Sequence, residues 1–262
     1  PTLRGLRRRG FTPESIRKLC DLVGISKQDS IIDYSLLEEA VRTELNTTAH
    51  RKMAVIDPIK VVITNYPNDE GETIEVSNHP QNPELGTRQL TFSKEIYIDA
   101  DDFMLDPPNK FFRLSPGKEV RLRNAYVIQC DEVLYHEDGT IKELHCTYDP
   151  NTLGGKKPLD GRKVKGIIHW VSANTAIDAS VYLYDKLFTI ANPGAEDHFE
   201  STINPESLAI MKHAKLEPSL ANANISEPFQ FTRLGYFCLD KNSDKNALIF
   251  NRITSLKADK SK

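Results

Sequence analysis

The sequence of 262 residues lacks several things that would place it quickly. No apolar run approaches the ~20 residues that a membrane-spanning helix needs, and the first residues are arginine-rich without an apolar core, so they are not expected to form a signal peptide. A soluble, cytoplasmic protein with no membrane partner is expected. The four cysteines, Cys20, Cys130, Cys146 and Cys238, are far apart with no C-x-x-C spacing, so reduced core thiols are expected rather than disulfides or metal ligands. None of the seven histidines forms an H-x-x-x-H or H-x-H pair, and no metal site is assigned. G-x-S-x-G, H-E-x-x-H and G-x-G-x-x-G are missing, and no spacing pairs two carboxylates for acid/base work. The chain is therefore expected to hold neither a catalytic centre nor a cofactor. His79 and His169 are read as structural hydrogen-bonding residues. The sequence starts at Pro1 rather than methionine, which reads as a piece of a longer protein.

What is present is an ordinary globular balance, 39% hydrophobic and 27% charged with net charge −3, in a chain long enough for about two domains. Residues 1–49 read as a small helical unit. Arg4, Arg7, Arg8 and Arg9 lead into a helix start with Thr12 as N-cap, Pro13 at the first helical position and Glu14 in the first turn. Ile16, Leu19, Cys20 and Val23 recur at helical spacing before Gly24. A second helix is expected to begin with Ser35 as cap and Glu38 completing a capping box, and to run through Leu37, Ala40, Val41 and Leu45 until Asn46 breaks it. After Met53 short Val/Ile/Tyr/Phe runs alternate with Pro, Gly, Asn and Asp. Strands are expected at 58–66, 73–76, 88–98, 118–129, 141–148, 164–172, 180–188, 207–215, 228–239 and 248–256, with a hairpin at 136–140. About ten such strands suit two antiparallel barrels or sandwiches. The expected class is mainly β with a helical subdomain in front.

Charge is concentrated in two places. In 110–123, Lys110, Arg113, Lys118, Arg121 and Arg123 face Glu119 alone, beside the aromatic pair Phe111 and Phe112. Val120, Leu122, Tyr126 and Ile128 alternate with Arg121 and Arg123, which gives a strand one apolar face and one face of guanidiniums. Guanidiniums beside aromatic rings suit phosphates and unstacked bases; the same pattern is also that of a solvated sheet face. The glycine-rich stretch 153–166 carries Lys156, Lys157, Arg162, Lys163 and Lys165 against Asp160, without the spacing of a nucleotide-phosphate loop. It reads as a hairpin touching a polyanion or as a solvated loop. With no recognition helix in view, single-stranded RNA is a better fit than DNA.

The stretches GLRRRGFTPESIRKLC, KMAVIDPIKVVITNY, SNHPQNPELGTRQLTFSKEIYIDADDF, GKEVRLRNAYVI, CTYDPNT, DGRKVKGIIHWVSA, LYDKLF, INPESL and FQFTRLGYFCLD resemble the C-terminal part of bacterial-type glutaminyl-tRNA synthetases over nearly the whole chain. That family's catalytic domain carries HIGH-type and KMSKS-type motifs, and neither occurs here. The resemblance implies a catalytically inactive anticodon-binding region of a class I ligase, monomeric and cytoplasmic, gripping a glutamine-accepting tRNA and no DNA, with ATP and Mg2+ used only by the full-length enzyme. It implies a helical subdomain at 1–49, a proximal barrel at 50–105 and 189–262, and a distal barrel at 106–188. By motif, Arg51, Arg123 and Asn46 fall near the first anticodon base, Arg113 at the third with Arg121 on the same strand, and Gln230 with Arg233 at the middle one. Arg7, Arg8, Arg9, Lys110, Lys156, Lys157, Arg162 and Lys163 are candidate contacts to the tRNA backbone. Phe111, Phe112 and Gln81 depart from the family pattern. The alternatives are the same region of an archaeal or eukaryotic-type glutamyl-tRNA synthetase, or a free-standing ribosomal RNA-binding barrel.

Overall fold

A computed structural model describes residues 2–28, 30–67 and 70–257. The fold is mainly β, and among the described residues the helices are confined to the start of the chain apart from short 3-10 turns. The chain divides into two compact units. The first holds Pro1–Arg51, Ala179–Lys212 and Asn222–Lys262, the second Lys52–Asp178 and His213–Ala221.

In the first unit the Arg-rich approach to Thr12 is itself helical: α1 spans Leu3–Arg8, capped by Thr2. Helix α2, Pro13–Val23, starts as its sequence requires, with the Thr12 hydroxyl accepting from Ser15 N at 3.1 Å, and stops at Gly24, which takes a positive φ of 71°. Helix α3, Tyr34–Thr48, is capped by Asp33, whose carboxylate accepts from Ser35 N at 2.8 Å, and not by Ser35 as expected. A side chain with two acceptor oxygens stands just before the hydroxyl and takes the role. The helix also runs past Asn46 to Thr48. Its inner face, Leu37, Val41 and Leu45, packs with Phe11, Tyr236, Cys238 and Ile253, and burying each large apolar side chain contributes roughly 1.5–3 kcal/mol. The strand Gly235–Leu239 pairs antiparallel with Pro228–Phe231 on one side and Leu248–Ser255 on the other. Leu248–Asn251 pair in parallel with Ala179–Tyr182.

The second unit is built on a sheet in the order 167–168, 119–122, 127–135, 141–149, 58–63, 95–99, 171–172. Its two edge strands, Ile167–Ile168 and Val171–Ser172, are separated in the chain only by His169 and Trp170, so the sheet must curl until its edges meet. Trp170 plugs this seam, packed edge-on against Phe92 with centroids 5.2 Å apart and donating from Nε1 to Arg123 O at 2.9 Å. Glu72–Ser77 and Thr87–Phe92 form an antiparallel ribbon.

Strand extents are also corrected. Strands expected whole at 118–129 and 228–239 are hairpins broken at Arg123–Ala125 and at Thr232–Leu234, each turn holding one residue at positive φ, Asn124 or Arg233. Residues 52 to 178 fall in one compact unit. Lys60–Ile63 pair in parallel with Glu143–Cys146, so 58–63 shares a sheet with 141–149 rather than with the C-terminal strands. Cys130, Cys146 and Cys238 are buried free thiols while Cys20 is exposed. No described helix is long and apolar enough to cross a membrane, which says nothing of strands.

Candidate functional site

In the first unit three of the expected residues meet in one hydrogen-bonded chain. Gln230 and Tyr236 are cross-strand partners in the hairpin, which brings Gln230 Nε2 to 2.9 Å from the Tyr236 hydroxyl. That hydroxyl donates to Asn46 Oδ1 at 3.4 Å. Asn46 Oδ1 also accepts from Arg51 Nη2 at 3.1 Å. The Arg51 guanidinium further donates to the carbonyls of Asn46, at 2.7 Å, and Ala49, at 3.0 Å, at the end of α3. A permanent cation there satisfies helix carbonyls left open at the last turn and complements the negative end of the helix. Tyr236 is 1% exposed. Burial raises its phenol above the ordinary value, against the opposing pull of the Gln230 hydrogen bond and the Arg51 and Arg42 charges. Asn46 is exposed and Arg51 and Gln230 are half-buried, so the chain of donors runs from the core to the surface. Arg233, half-buried, sits at φ 69° in the turn of the same hairpin, where Leu234 N donates to Phe231 O at 2.9 Å.

The arginines of α1 behave unequally. Arg8 clamps the buried Asp240 with Nε and Nη2 at 2.9 and 3.0 Å. Burial pushes the Asp240 carboxyl up, but Arg8, the Asn242 N–H and Asn251 together hold it below the ordinary value. Arg9 lies over the Tyr184 ring at 4.6 Å and donates to Ile253 O at 3.2 Å. Arg7 is exposed.

In the second unit three of the expected arginines are tied into the fold. Arg121, on the outer face of its strand as the alternation required, donates to Thr152 O at 3.0 Å and Lys156 O at 2.8 Å, pinning the base of the basic loop. Arg162 bonds Glu119, Asp149 and Asp160, all within 3.0 Å, and these three carboxylates raise its pKa. Arg113 donates to Asp101 O at 2.5 Å and faces the buried Asp102 at 3.4 Å, with Phe111 5.9 Å away. Arg123 is half-buried on the hairpin turn. Lys110, Lys156, Lys157 and Lys163 are exposed. Phe112 is 49% exposed with Lys165 Nζ 5.1 Å from its ring centre. Gln81 is exposed, its backbone N–H donating to His79 Nδ1 at 3.1 Å. His169, 1% exposed, bonds Asp99 at 2.7 Å and closes the barrel seam, a structural role like that of His79.

Sequence reasoning missed Tyr236. It lies in the apolar run Gly235–Leu239, and the available signal was that a buried tyrosine needs a partner for its hydroxyl. It also missed Glu217, 1% exposed, which bonds Arg88 at 2.7 and 2.8 Å, lies 3.6 Å from Lys52 and accepts from Met53 N at 2.8 Å. Among the described residues no group of three His, Cys, Asp or Glu side chains could hold a metal ion.

Residues 49–149 and 167–240 each match a family described as tRNA synthetases class I (E and Q), anti-codon binding domain. The chain is 52% identical over 258 residues to a glutamine–tRNA ligase of Aliivibrio fischeri and 53% identical over 261 residues to one of Pseudoalteromonas atlantica. A glutamine–tRNA ligase of Proteus mirabilis is 53% identical over 257 residues. Each match covers 98% of this chain and 46% of the relative, so the chain spans about half the length of the curated relatives it matches.

Proposed function

Since this chain belongs to the family of anticodon-binding domains of class I tRNA synthetases for glutamate and glutamine, we propose that it grips the anticodon loop of a glutamine-accepting tRNA. The parent protein then uses ATP and Mg2+ to attach glutamine, in the cytoplasm and as a monomer, through a catalytic part that this chain does not contain. DNA is not a partner in this reading. The names of the relatives favour glutamine over glutamate. The observation that carries the proposal is the hydrogen-bonded chain that runs from Arg51 through Asn46 and Tyr236 to Gln230, which gives a surface where amide and guanidinium groups are held in fixed register. Planar groups of this kind can match a base edge in two places at once. A wrong base then leaves a donor or acceptor unpaired, at roughly 1–3 kcal/mol.

In this reading Asn46, Arg51 and Arg123 serve the first anticodon base, Gln230 and Arg233 the middle one, and Arg113 the third, while Arg121 holds the basic loop through Thr152 and Lys156. Exposed Lys110, Lys156, Lys157, Lys163 and Arg7 attract phosphate. Arg8, Arg9 and Arg162 contribute less to phosphate attraction, because each is already held by protein acceptors. The test is a fluorescence titration of the 262-residue chain with anticodon stem-loops at one salt concentration. A preference of about tenfold or more for the glutamine anticodon over loops altered at each base is expected. Equal affinity for all loops contradicts the proposal, and ATP-pyrophosphate exchange by the chain alone contradicts its inactivity.

A further inference from the structure

We infer that Tyr236 is a positioning residue whose hydroxyl sets which way the Gln230 amide faces, and so fixes the order of acceptor and donor offered to the middle anticodon base; this rests on the reading of Gln230 given above.

The direction of the hydrogen-bond chain follows from its end. Arg51 can only donate. Its Nη2 lies 3.1 Å from Asn46 Oδ1, so Asn46 must turn its oxygen, not its NH2, toward that cluster. Tyr236 reaches the same oxygen at 3.4 Å and therefore gives its single proton there. With the proton so placed, the hydroxyl meets Gln230 with a lone pair, and the Gln230 atom facing it at 2.9 Å has to be Nε2. The Gln230 carbonyl oxygen is thereby turned away from Tyr236. A reversed amide would set Oε1 against a hydroxyl lone pair. Relieving that would require the hydroxyl to stop donating to Asn46 Oδ1 and donate to Gln230 instead. The Tyr236 ring is locked in the core with Leu37, Val41 and Leu45 of α3, so the hydroxyl cannot swing to another partner. A reader of base edges needs this, because an amide free to flip offers donor–acceptor and acceptor–donor orders alike and discriminates poorly between them.

The experiment uses the 262-residue chain and anticodon stem-loops that differ only at the middle base. Tyr236→Phe keeps the ring and removes the hydroxyl. Its affinity for the cognate loop is expected to fall about three- to tenfold, with little change for loops altered at the middle base, so that discrimination narrows by the same factor. Discrimination at the first and third bases and the salt dependence stay as in the wild type, which a general loss of structure would not allow. Asn46→Ala removes the acceptor that orients the hydroxyl, and the same narrowing at the middle base is expected; this keeps the test decisive if the tyrosine variant fails to fold. Gln230→Ala is the control for the underlying reading. If it loses middle-base discrimination while Tyr236→Phe keeps it within twofold, the positioning role is overturned and the reading stands. If Gln230→Ala loses nothing specific to the middle base, both are overturned. Equal losses for every loop in Tyr236→Phe reduce Tyr236 to a packing residue and also overturn the inference.

Discussion

Arg51 of the first unit and Arg121 of the second both donate to backbone carbonyls, yet they stand in different company. Arg51 ends α3 and shares Asn46 with Tyr236 and Gln230, so its cation is one link in a polar chain that reaches the surface. Arg121 ties Thr152 to Lys156, and its neighbour Arg162 is held among three carboxylates. The stretches 110–123 and 153–166 look strongly basic in sequence, but part of that charge holds loops in place. What the second unit offers a polyanion is chiefly its lysines. On the proposed reading, Arg51 is a charge that reads and the exposed lysines are charges that attract, while Arg121 and Arg162 are charges that build.

The largest effect expected on this basis concerns a building charge. Glu217→Ala leaves Arg88 and Lys52, whose side chains are 9% exposed, without their shared carboxylate. Breaking a buried pair in this way costs about 3–5 kcal/mol, to be read from urea unfolding followed within the second unit. A change under ~1 kcal/mol would mean that the network is not a structural anchor. Arg121→Ala comes next. Loss of its bonds to Thr152 and Lys156 is expected to destabilise the loop locally by about 1–2 kcal/mol, seen as faster exchange of the Gly154 and Lys156 amides, while base preference is unaffected. A selective loss at one anticodon base would move Arg121 from building to reading.

Acid should expose the Arg8–Asp240 clamp. Asp240 is held below its unfolded value, so its contribution to stability is present above about pH 4 and is lost as pH falls through the lower folded value. Asp240→Asn should be less stable than the wild type at neutral pH, and the difference should shrink on acidification below about pH 4. A constant difference across that window would remove the clamp from the account of the first unit. The smallest effect belongs to attraction. Reversing Lys156 and Lys157 to glutamate should lower the slope of log affinity against log salt by roughly 0.7 for each phosphate no longer neutralised, leaving the ranking of anticodons as it was. An unchanged slope would make the loop a bystander.

Local signals made much of the fold legible. Thr12-Pro13-Glu14 starts α2, Gly24 ends it, and His136-Glu137-Asp138-Gly139-Thr140 turns a hairpin in which His136 N meets Thr140 O at 2.8 Å. The breaks at Arg123–Ala125 and Thr232–Leu234 were hidden because neither turn contains glycine or proline; Asn124 and Arg233 adopt positive φ instead. The parallel pairing of Lys60 with Glu143 joins residues far apart in sequence, and no local pattern specifies it. The candidate site was legible as a set of residues but not as a chemistry. Arg162 reads as a free cation because Glu119 and Asp149 lie well upstream of it. Tyr236 reads as core because its ring is core and only its hydroxyl serves the surface.

The distinction between reading and attracting is tested most directly by a protein–RNA cycle. Wild type, Arg51→Ala, Gln230→Ala and Lys156→Glu/Lys157→Glu are each titrated at one salt concentration against stem-loops altered singly at each anticodon base. Arg51→Ala is expected to couple to the first base and Gln230→Ala to the middle base, each by about 1–3 kcal/mol, while the lysine variant loses affinity evenly. Even losses for Arg51→Ala and Gln230→Ala as well would mean that the Asn46–Tyr236 cluster only holds the fold together and reads nothing.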